Sequence, residues 1–189
     1  MHSAFLSLLF VASTSVHAVT VDFESDISNV DIQGFSSKGF DFVGNANFWD
    51  LYVDGGGNTT AETADPGCGG CVGVGWMVTA SNGNAFSLES VDLGFFANFG
   101  LGGQAAISGA LSGGGTVSRL VTDSSWHTES AFGAQWSDLT SVGIYITSGV
   151  PQTLTIDNFS ASIVPIPAAV WLFGSALAGL GWLRRKQTV

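Results

Sequence analysis

Hydrophobic and polar residues alternate in short runs along most of this chain. In the run from Val142 to Thr147, Val142, Ile144 and Ile146 share one face, while Gly143, Tyr145 and Thr147 share the other. Successive side chains of an extended strand point to opposite sides, so a period of two marks a strand with one buried face. Runs of this kind predict strands at Val19–Phe23, Phe40–Val43, Phe48–Val53, Val72–Val78, Ala85–Leu88 and Val91–Phe96. Others fall at Gln104–Ser108, Thr116–Val121, Ser130–Gln135, Val142–Thr147 and Thr153–Ser160. Between Val19 and Ile163 no apolar period of 3.6 residues persists for a helical length. Glycine clusters at Gly55-Gly56-Gly57, Gly69-Gly70, Gly102-Gly103 and Gly113-Gly114-Gly115 supply turns. Many short strands at close spacing predict an all-β fold, an antiparallel β-sandwich of the jelly-roll kind.

The two ends break this pattern. An apolar stretch from Ala4 to Ala12 is followed by Ser13-Thr14-Ser15 and then Val16-His17-Ala18. Short residues at the third-last and last positions match a signal-peptidase site, so residues 1–18 read as a secretory signal. At the other end, Ile163 to Leu183 carries no charge and runs directly into Arg184-Arg185-Lys186. Hydrocarbon about 30 Å thick is spanned by roughly 20 apolar residues at about 1.5 Å of helix rise each. Pro165 and Pro167 belong at or before the first turn, because an interior proline costs about 3 kcal/mol. The expected single C-terminal transmembrane helix therefore runs from Ala168 to Leu183. Arg184, Arg185 and Lys186 act as stop-transfer residues that stay cytoplasmic. The expected organisation is a signal peptide (1–18), a sandwich ectodomain (19–163) and a membrane tail (164–189).

The tail is also a motif. Val164-Pro165-Ile166-Pro167-Ala168-Ala169-Val170-Trp171-Leu172-Phe173-Gly174-Ser175, followed by an apolar helix and a basic end, resembles a PEP-CTERM sorting signal. It is similar to the Val-Pro-x-Pro-Ala-Ala-x-Trp-Leu-Phe-Gly-Ser variant of Gram-negative bacteria. The resemblance implies that exosortase recognises Val164, Pro165, Ile166, Pro167, Ala168, Ala169, Trp171, Leu172, Phe173, Gly174 and Ser175. It further implies transient anchoring in the inner membrane, processing, and release to the cell surface or secretion. The family accompanies exopolysaccharide production and biofilm formation. Ile166 stands where the eponymous motif has Glu, which leaves the exosortase subtype and the cleavage position open.

Charge narrows the function classes. Fifteen acidic residues face five Lys and Arg, for a formal net charge of −10. All fifteen acids lie between Asp22 and Asp157, where the only cations are Lys38 and Arg119. Affinity for a phosphate backbone comes from clustered Lys and Arg, so nucleic acid is excluded as a partner. Only 11% of residues are charged and 46% are hydrophobic, which separates the chain from acidic disordered tails.

Residues 85–160 also resemble jelly-roll modules like carbohydrate-binding domains, through Phe86-Ser87-Leu88, Val91-Asp92-Leu93-Gly94, Leu139-Thr140-Ser141-Val142 and Ile156-Asp157-Asn158-Phe159. In such modules a structural calcium often joins the first strand to the last. The resemblance therefore implies a calcium site at Asp22, Glu24 and Asp157, whose carboxylates are the hard oxygen donors that Ca²⁺ takes. The same acids can equally be solvated strand-edge charges.

The remaining chemistry-bearing residues are few. Cys68-Gly69-Gly70-Cys71 is the only cysteine pair, and in an exported chain it reads as a disulfide shaping one loop. His127 has no Gly-x-Ser-x-Gly elbow to accompany it, so nothing nominates a nucleophile. Trp49, Trp76, Trp126 and Trp136, with Phe48, Phe95, Phe96 and Phe99, either fill the core or form a sugar-stacking surface. The reading is a non-catalytic, exosortase-sorted surface or matrix protein associated with exopolysaccharide. The alternatives are a carbohydrate-binding module with a defined glycan and, third, a secreted hydrolase using paired carboxylates.

Overall fold

The structure is a computed structural model that describes residues 17–24, 34–45, 48–53, 57–64, 73–97, 103–148, 151–164 and 173–177. The side chains of residues 48–53, 64, 96–97 and 151–152 lie outside that description. The chain divides into two compact units, one of residues His17–Val164 and one of Met1–Val16 with Pro165–Val189. Of the second unit, residues 173–177 are described; they form a short helix with exposed side chains. Among the described residues no helix is long and apolar enough to cross a membrane. The rest of the expected spanning segment, the signal peptide up to residue 16, the cysteine pair and the basic end lie outside the described residues.

Among its described residues the first unit has twelve strands. In chain order they are β1 (Val19–Val21), β2 (Gly34–Ser37), β3 (Phe40–Asn45), β4 (Phe48–Val53), β5 (Thr59–Ala64) and β6 (Gly75–Ala80). Then follow β7 (Phe86–Ala97), β8 (Gln104–Leu111), β9 (Thr116–Val121), β10 (His127–Glu129), β11 (Leu139–Ser148) and β12 (Pro151–Ile163). Every pairing is antiparallel, as the sequence predicts for an all-β sandwich. A front sheet runs β2-β3-β6-β11-β8-β9, and a back sheet runs β4-β5-β12-β7-β10. Strand β1 pairs with β12 beyond the stretch that β5 occupies. A single pair, Leu139 with Phe86, joins the two sheets.

The core lies between the sheets and follows the period of two. Val142, Ile144 and Ile146 of β11 are fully buried, as are Phe40 and Phe42 of β3 and Ile107 of β8. From the back sheet come Phe86, Leu93, Leu154, Ile156 and Phe159. Phe40 meets Phe86 and Phe159 edge-on at 5.4 and 5.5 Å, and Phe42 meets Phe23 at 5.2 Å. Edge-to-face rings put the positive rim of one against the negative face of the next, and each pair contributes about 0.5–1.5 kcal/mol beyond its buried area.

Strand β12 does not keep one register. Leu154 and Ile156 face the core, and so do Phe159 and Ala161, which a strict alternation would turn outward. Register shifts between Asp157 and Ser160 and between Ser160 and Ala161 mark bulges on the β12–β7 pair. Asn158 takes a φ of 45°, a left-handed conformation that Asn tolerates better than most residues.

One expected strand is corrected. Residues Ser130–Gln135 do not form a strand; pairing stops at Glu129, Ala131 has φ 55°, and Ala134–Trp136 form a 3-10 turn that buries Trp136. Arg119 holds the departing backbone by donating to the carbonyl oxygens of Ser130 (2.6 Å) and Ala131 (3.1 Å), with its guanidinium 4.2 Å above the Phe132 ring.

Candidate functional site

The outer face of the back sheet carries a set of polar groups in register. On this face β7 presents Asp92 and Gly94, β12 presents Thr155 and Asp157, and β10 presents Thr128, because their strand neighbours Leu93, Leu154 and Ile156 face the core. Asp92 lies opposite Asp157 on one side and Thr128 on the other. Gly94 lies opposite Thr155.

The segment before β10 brings an aromatic ring to this face. Asp123 Oδ1 accepts from the Ser125 N–H (2.9 Å) and hydroxyl (2.5 Å), tightening the turn. The Phe95 N–H donates to the Ser124 oxygen at 3.2 Å and ties the turn to β7. Trp126 then leans over Gly94, where an added Cβ would meet its Cε3 at 3.0 Å and its Cα at 3.4 Å. The absence of a side chain at Gly94 is therefore what lets the indole settle there. Trp126 remains 47% exposed.

Beside the ring, the acids are oriented by fixed donors. Thr128 Oγ1 donates to Asp92 Oδ1 (2.5 Å), and Asn158 Nδ2 donates to Asp92 Oδ2 (2.9 Å). Asp157 accepts from Asn58 Nδ2 (3.1 Å), from its neighbour's N–H (Asn158, 2.7 Å) and from Asn158 Nδ2 (3.4 Å). The left-handed Asn158 in the bulge lets one residue bridge both carboxylates. Burial pushes the Asp157 carboxyl above the usual carboxylate range; Asn58 and the Asn158 N–H oppose this, while the charges of Asp92 and Glu24 add to it. Asp92 is half-buried and uses two of about four lone-pair positions on its carboxylate, so it keeps capacity to accept from a ligand hydroxyl. The buried Thr155 Oγ1 has no hydrogen-bond partner, a cost of about 1–3 kcal/mol carried beneath this surface.

The site residues expected from the sequence are only partly brought together. Glu24 is close enough to Asp157 to raise its pKa, and its Oε1 accepts from the Thr59 N–H at 2.9 Å. Asp22 forms an ion pair with Lys38 at 2.7 Å, and Lys38 also donates to the Thr20 oxygen. Lys38, through its hydrogen bond, holds the Asp22 carboxyl below the usual range. Among the described residues no three His, Cys, Asp or Glu groups are placed to hold a metal ion together. The trio Asp22, Glu24 and Asp157 is not assembled as a calcium cage.

Nor do Asp92 and Asp157 make a general acid and base pair. Asp157 is 2% exposed and both its oxygens already accept hydrogen bonds, so a substrate oxygen has no approach to it. Its place is to orient Asn58 and Asn158.

The aromatic candidates divide. Trp76, Trp136 and Phe95 are core residues at 2%, 3% and 1% exposure, whereas Trp126 is on the surface. Phe99 and the side chains of Phe48, Trp49 and Phe96 lie outside the described residues. His127 is no nucleophile's base: Nδ1 lies 2.7 Å from the Ser125 oxygen and Nε2 3.2 Å from Glu129 Oε1. Sequence reasoning missed Asp92, Thr128 and Asn58. The available signal for Asp92 was its outward parity in Val91-Asp92-Leu93-Gly94, one outward position before a glycine.

No protein-family profile and no curated protein matches this chain. Solved structures do. An exo-β-agarase superposes with a TM-score of 0.46 at 12% identity, over 80% of this chain and 25% of its own, so the chain spans about a quarter of that enzyme. The family 11 carbohydrate-binding module of a cellulosomal cellulase from Clostridium thermocellum superposes at 0.39 with 15% identity, over 80% of this chain and 97% of the module. A family 11 module of that organism in complex with a β-1,3-1,4-mixed-linked tetrasaccharide superposes at 0.37 with 12% identity, over 81% and 99%.

Proposed function

We propose that this chain is a non-catalytic polysaccharide-binding protein of the bacterial cell surface or matrix, whose sandwich unit binds sugar at the Trp126–Asp92 site. The observation that carries the reading is the pairing of an exposed indole with a carboxylate held in place by Thr128 and Asn158. A pyranose ring has an apolar C–H face and a rim of hydroxyls. An aromatic ring takes the first, and a fixed acceptor beside it takes the second. Trp126 leans over Gly94, which lies two residues along β7 from Asp92, about 6.6 Å; this is roughly the reach from the middle of a sugar ring through a rim hydroxyl and its hydrogen bond to an acceptor.

Sorting belongs to the same reading. The apolar start ending in Val16-His17-Ala18 supports export by a cleaved signal, and the Val164–Ser175 motif with the Arg184-Arg185-Lys186 end supports brief inner-membrane anchoring and processing by exosortase.

The test is affinity electrophoresis of the secreted protein in gels cast with the host's own exopolysaccharide. Wild type is retarded. Trp126→Ala, which removes a central aromatic anchor, loses about 2 kcal/mol of binding, or roughly thirtyfold. Asp92→Asn loses less. Retardation unchanged in both variants, with native circular dichroism, would overturn the assignment. Intact mass of the secreted protein with and without the host exosortase tests the sorting half separately.

A further inference from the structure

The opposite side of the sandwich has a different character. The six front-sheet strands contain only two charged residues, Asp41 and Arg119. Arg119 is paired in register with Ile107 on the core side and reaches round to Phe132. Asp41 is therefore the one charge on the outer face, and it is held between the Ser36 and Ser81 hydroxyls, both 2.6 Å from its Oδ1. The back-sheet strands, by contrast, contain Asp50, Glu62, Glu89, Asp92, Glu129 and Asp157.

That uncharged face is also not bare backbone. Val43, Met77 and Leu120 point outward at 51%, 45% and 56% exposure. Val43 and Met77 are directly opposed across β3 and β6. Half-buried Tyr145 stands between them and Leu120, with Ala106 intervening. Ser108 and Ser118 sit side by side on β8 and β9 and add hydroxyls to the same plane.

We infer that the front face is a second polysaccharide surface, for an uncharged chain, and that the two faces let one molecule hold two chains at once. Charge chooses the ligand class. A carboxylated or sulfated chain would meet no cation here and would approach an acidic domain, whereas a neutral chain loses nothing. Size chooses against a second protein copy. Six strands about 4.8 Å apart and on average nearly seven residues long at about 3.3 Å give a face on the order of 600 Å², below the about 800 Å² per partner in a stable protein pair. A glycan strand is narrow enough to fill its contact within that width. Sheets in a sandwich lie about 10 Å apart with a packed core between them, so a chain lying along one outer face does not reach the other. Bridging rests on the Trp126 reading; binding at the front face does not.

The experiment uses the secreted protein, a soluble neutral β-glucan and, as the anionic comparison, alginate. Binding is read by affinity electrophoresis, and bridging by capture of fluorescent β-glucan on a β-glucan-coated surface. Two front-face variants, Leu120→Glu and Met77→Glu, place a charge at exposed positions; Trp126→Ala disables the back face. Wild type is expected to bind β-glucan over alginate and to capture it on the coated surface. Each front-face variant keeps binding through Trp126 but loses at least tenfold in capture, Trp126→Ala does the same, and the double variant loses both. Capture by the front-face variants equal to wild type would overturn the inference. So would complete loss of binding in Trp126→Ala alone, which leaves the proposed function standing. Preference for alginate, or a wild-type dimer in light scattering that Leu120→Glu dissociates, would also overturn it. Full binding by Trp126→Ala with none by the front-face variants would overturn the bridging and the Trp126 site together, leaving the front face as the glycan surface.

Discussion

Replacing Gly75 by Ala should break the front sheet, whereas the same change at Gly143, one strand away, should not. Gly75 pairs with Tyr145 on β11 and with Asn45 on β3. A Cβ built on Gly75 would lie 1.9 Å from the Ile144 oxygen and 2.6 Å from Tyr145 Cα. Both are backbone atoms of a paired strand, so no rotamer relieves the clash. Ordinary contact begins near 3.4 Å, so β6 and β11 would have to part by about 1.5 Å. The neighbouring bonds from Gly73 N–H to the Ile146 oxygen (2.8 Å) and from Ile146 N–H to the Val74 oxygen (2.9 Å) would then stretch out of hydrogen-bonding range.

Two lost bonds at about 1 kcal/mol each, plus overpacking strain of about 1–3 kcal/mol, come to about 4 kcal/mol. For a domain of this size that corresponds to a melting temperature lower by roughly 8–16 °C. At Gly143 the obstacle is the Tyr145 ring, with Cε1 3.2 Å from an added Cβ. That ring stands on the open outer face and can swing away, and Ala restricts the unfolded chain more than Gly, so the net change is within about 1 kcal/mol. Urea unfolding followed by the fluorescence of the core residues Trp76 and Trp136 measures both variants. Gly75→Ala and Gly143→Ala falling within 1 kcal/mol of each other would refute the steric argument.

Other perturbations test the supports of the candidate site. Arg119→Met removes three hydrogen bonds and a ring contact around Glu129, Ser130, Ala131 and Phe132, and should cost about 2–3 kcal/mol; Arg119→Lys, lacking the planar fork, recovers less than half in thermal melts. His127 has its pKa raised by its bond to the Ser125 oxygen and by Glu129, so its contribution is complete below its ordinary value of about 6.5 and fades as pH rises through the higher folded value. The gap in melting temperature between wild type and His127→Gln should therefore be largest below the ordinary value of about 6.5 and narrow as pH rises above it. Asp157 has a raised pKa, so the native state binds its proton more tightly than the unfolded chain and stability falls as pH rises from the ordinary carboxylate value. Asp157→Asn removes that slope, and melts between about pH 4.5 and 7 should show the variant gaining on wild type as pH rises.

What the sequence discloses depends on whether the information is local. Phe48–Val53 and Thr116–Val121 form strands with the expected bounds, because large apolar or β-branched residues alternate within each. Thr59–Ala64 carries no large apolar residue and Gly34–Ser37 only Phe35, so β5 and β2 exist because neighbouring strands offer them a ladder, which no local pattern encodes. The site shows the same dependence more sharply. Read with a constant period, Thr153–Ser160 puts Ile156 inward and Phe159 outward. Phe159 is nevertheless fully buried, and the bulge at Asn158 is the device that reconciles the two. That bulge also lets the Asn158 amide meet Asp92, a residue 66 positions earlier, while Thr128 meets it from 36 positions later. Trp126 is exposed for a reason equally remote: Gly94, on another strand, has no side chain where the indole leans. A linear motif such as Val164–Ser175 can be named residue by residue, but a polar cluster made by three strands becomes visible only once their registers are known. Asp22 depends on the fold in the same way: its ion-pair partner Lys38 lies 16 positions later, and no local pattern names it.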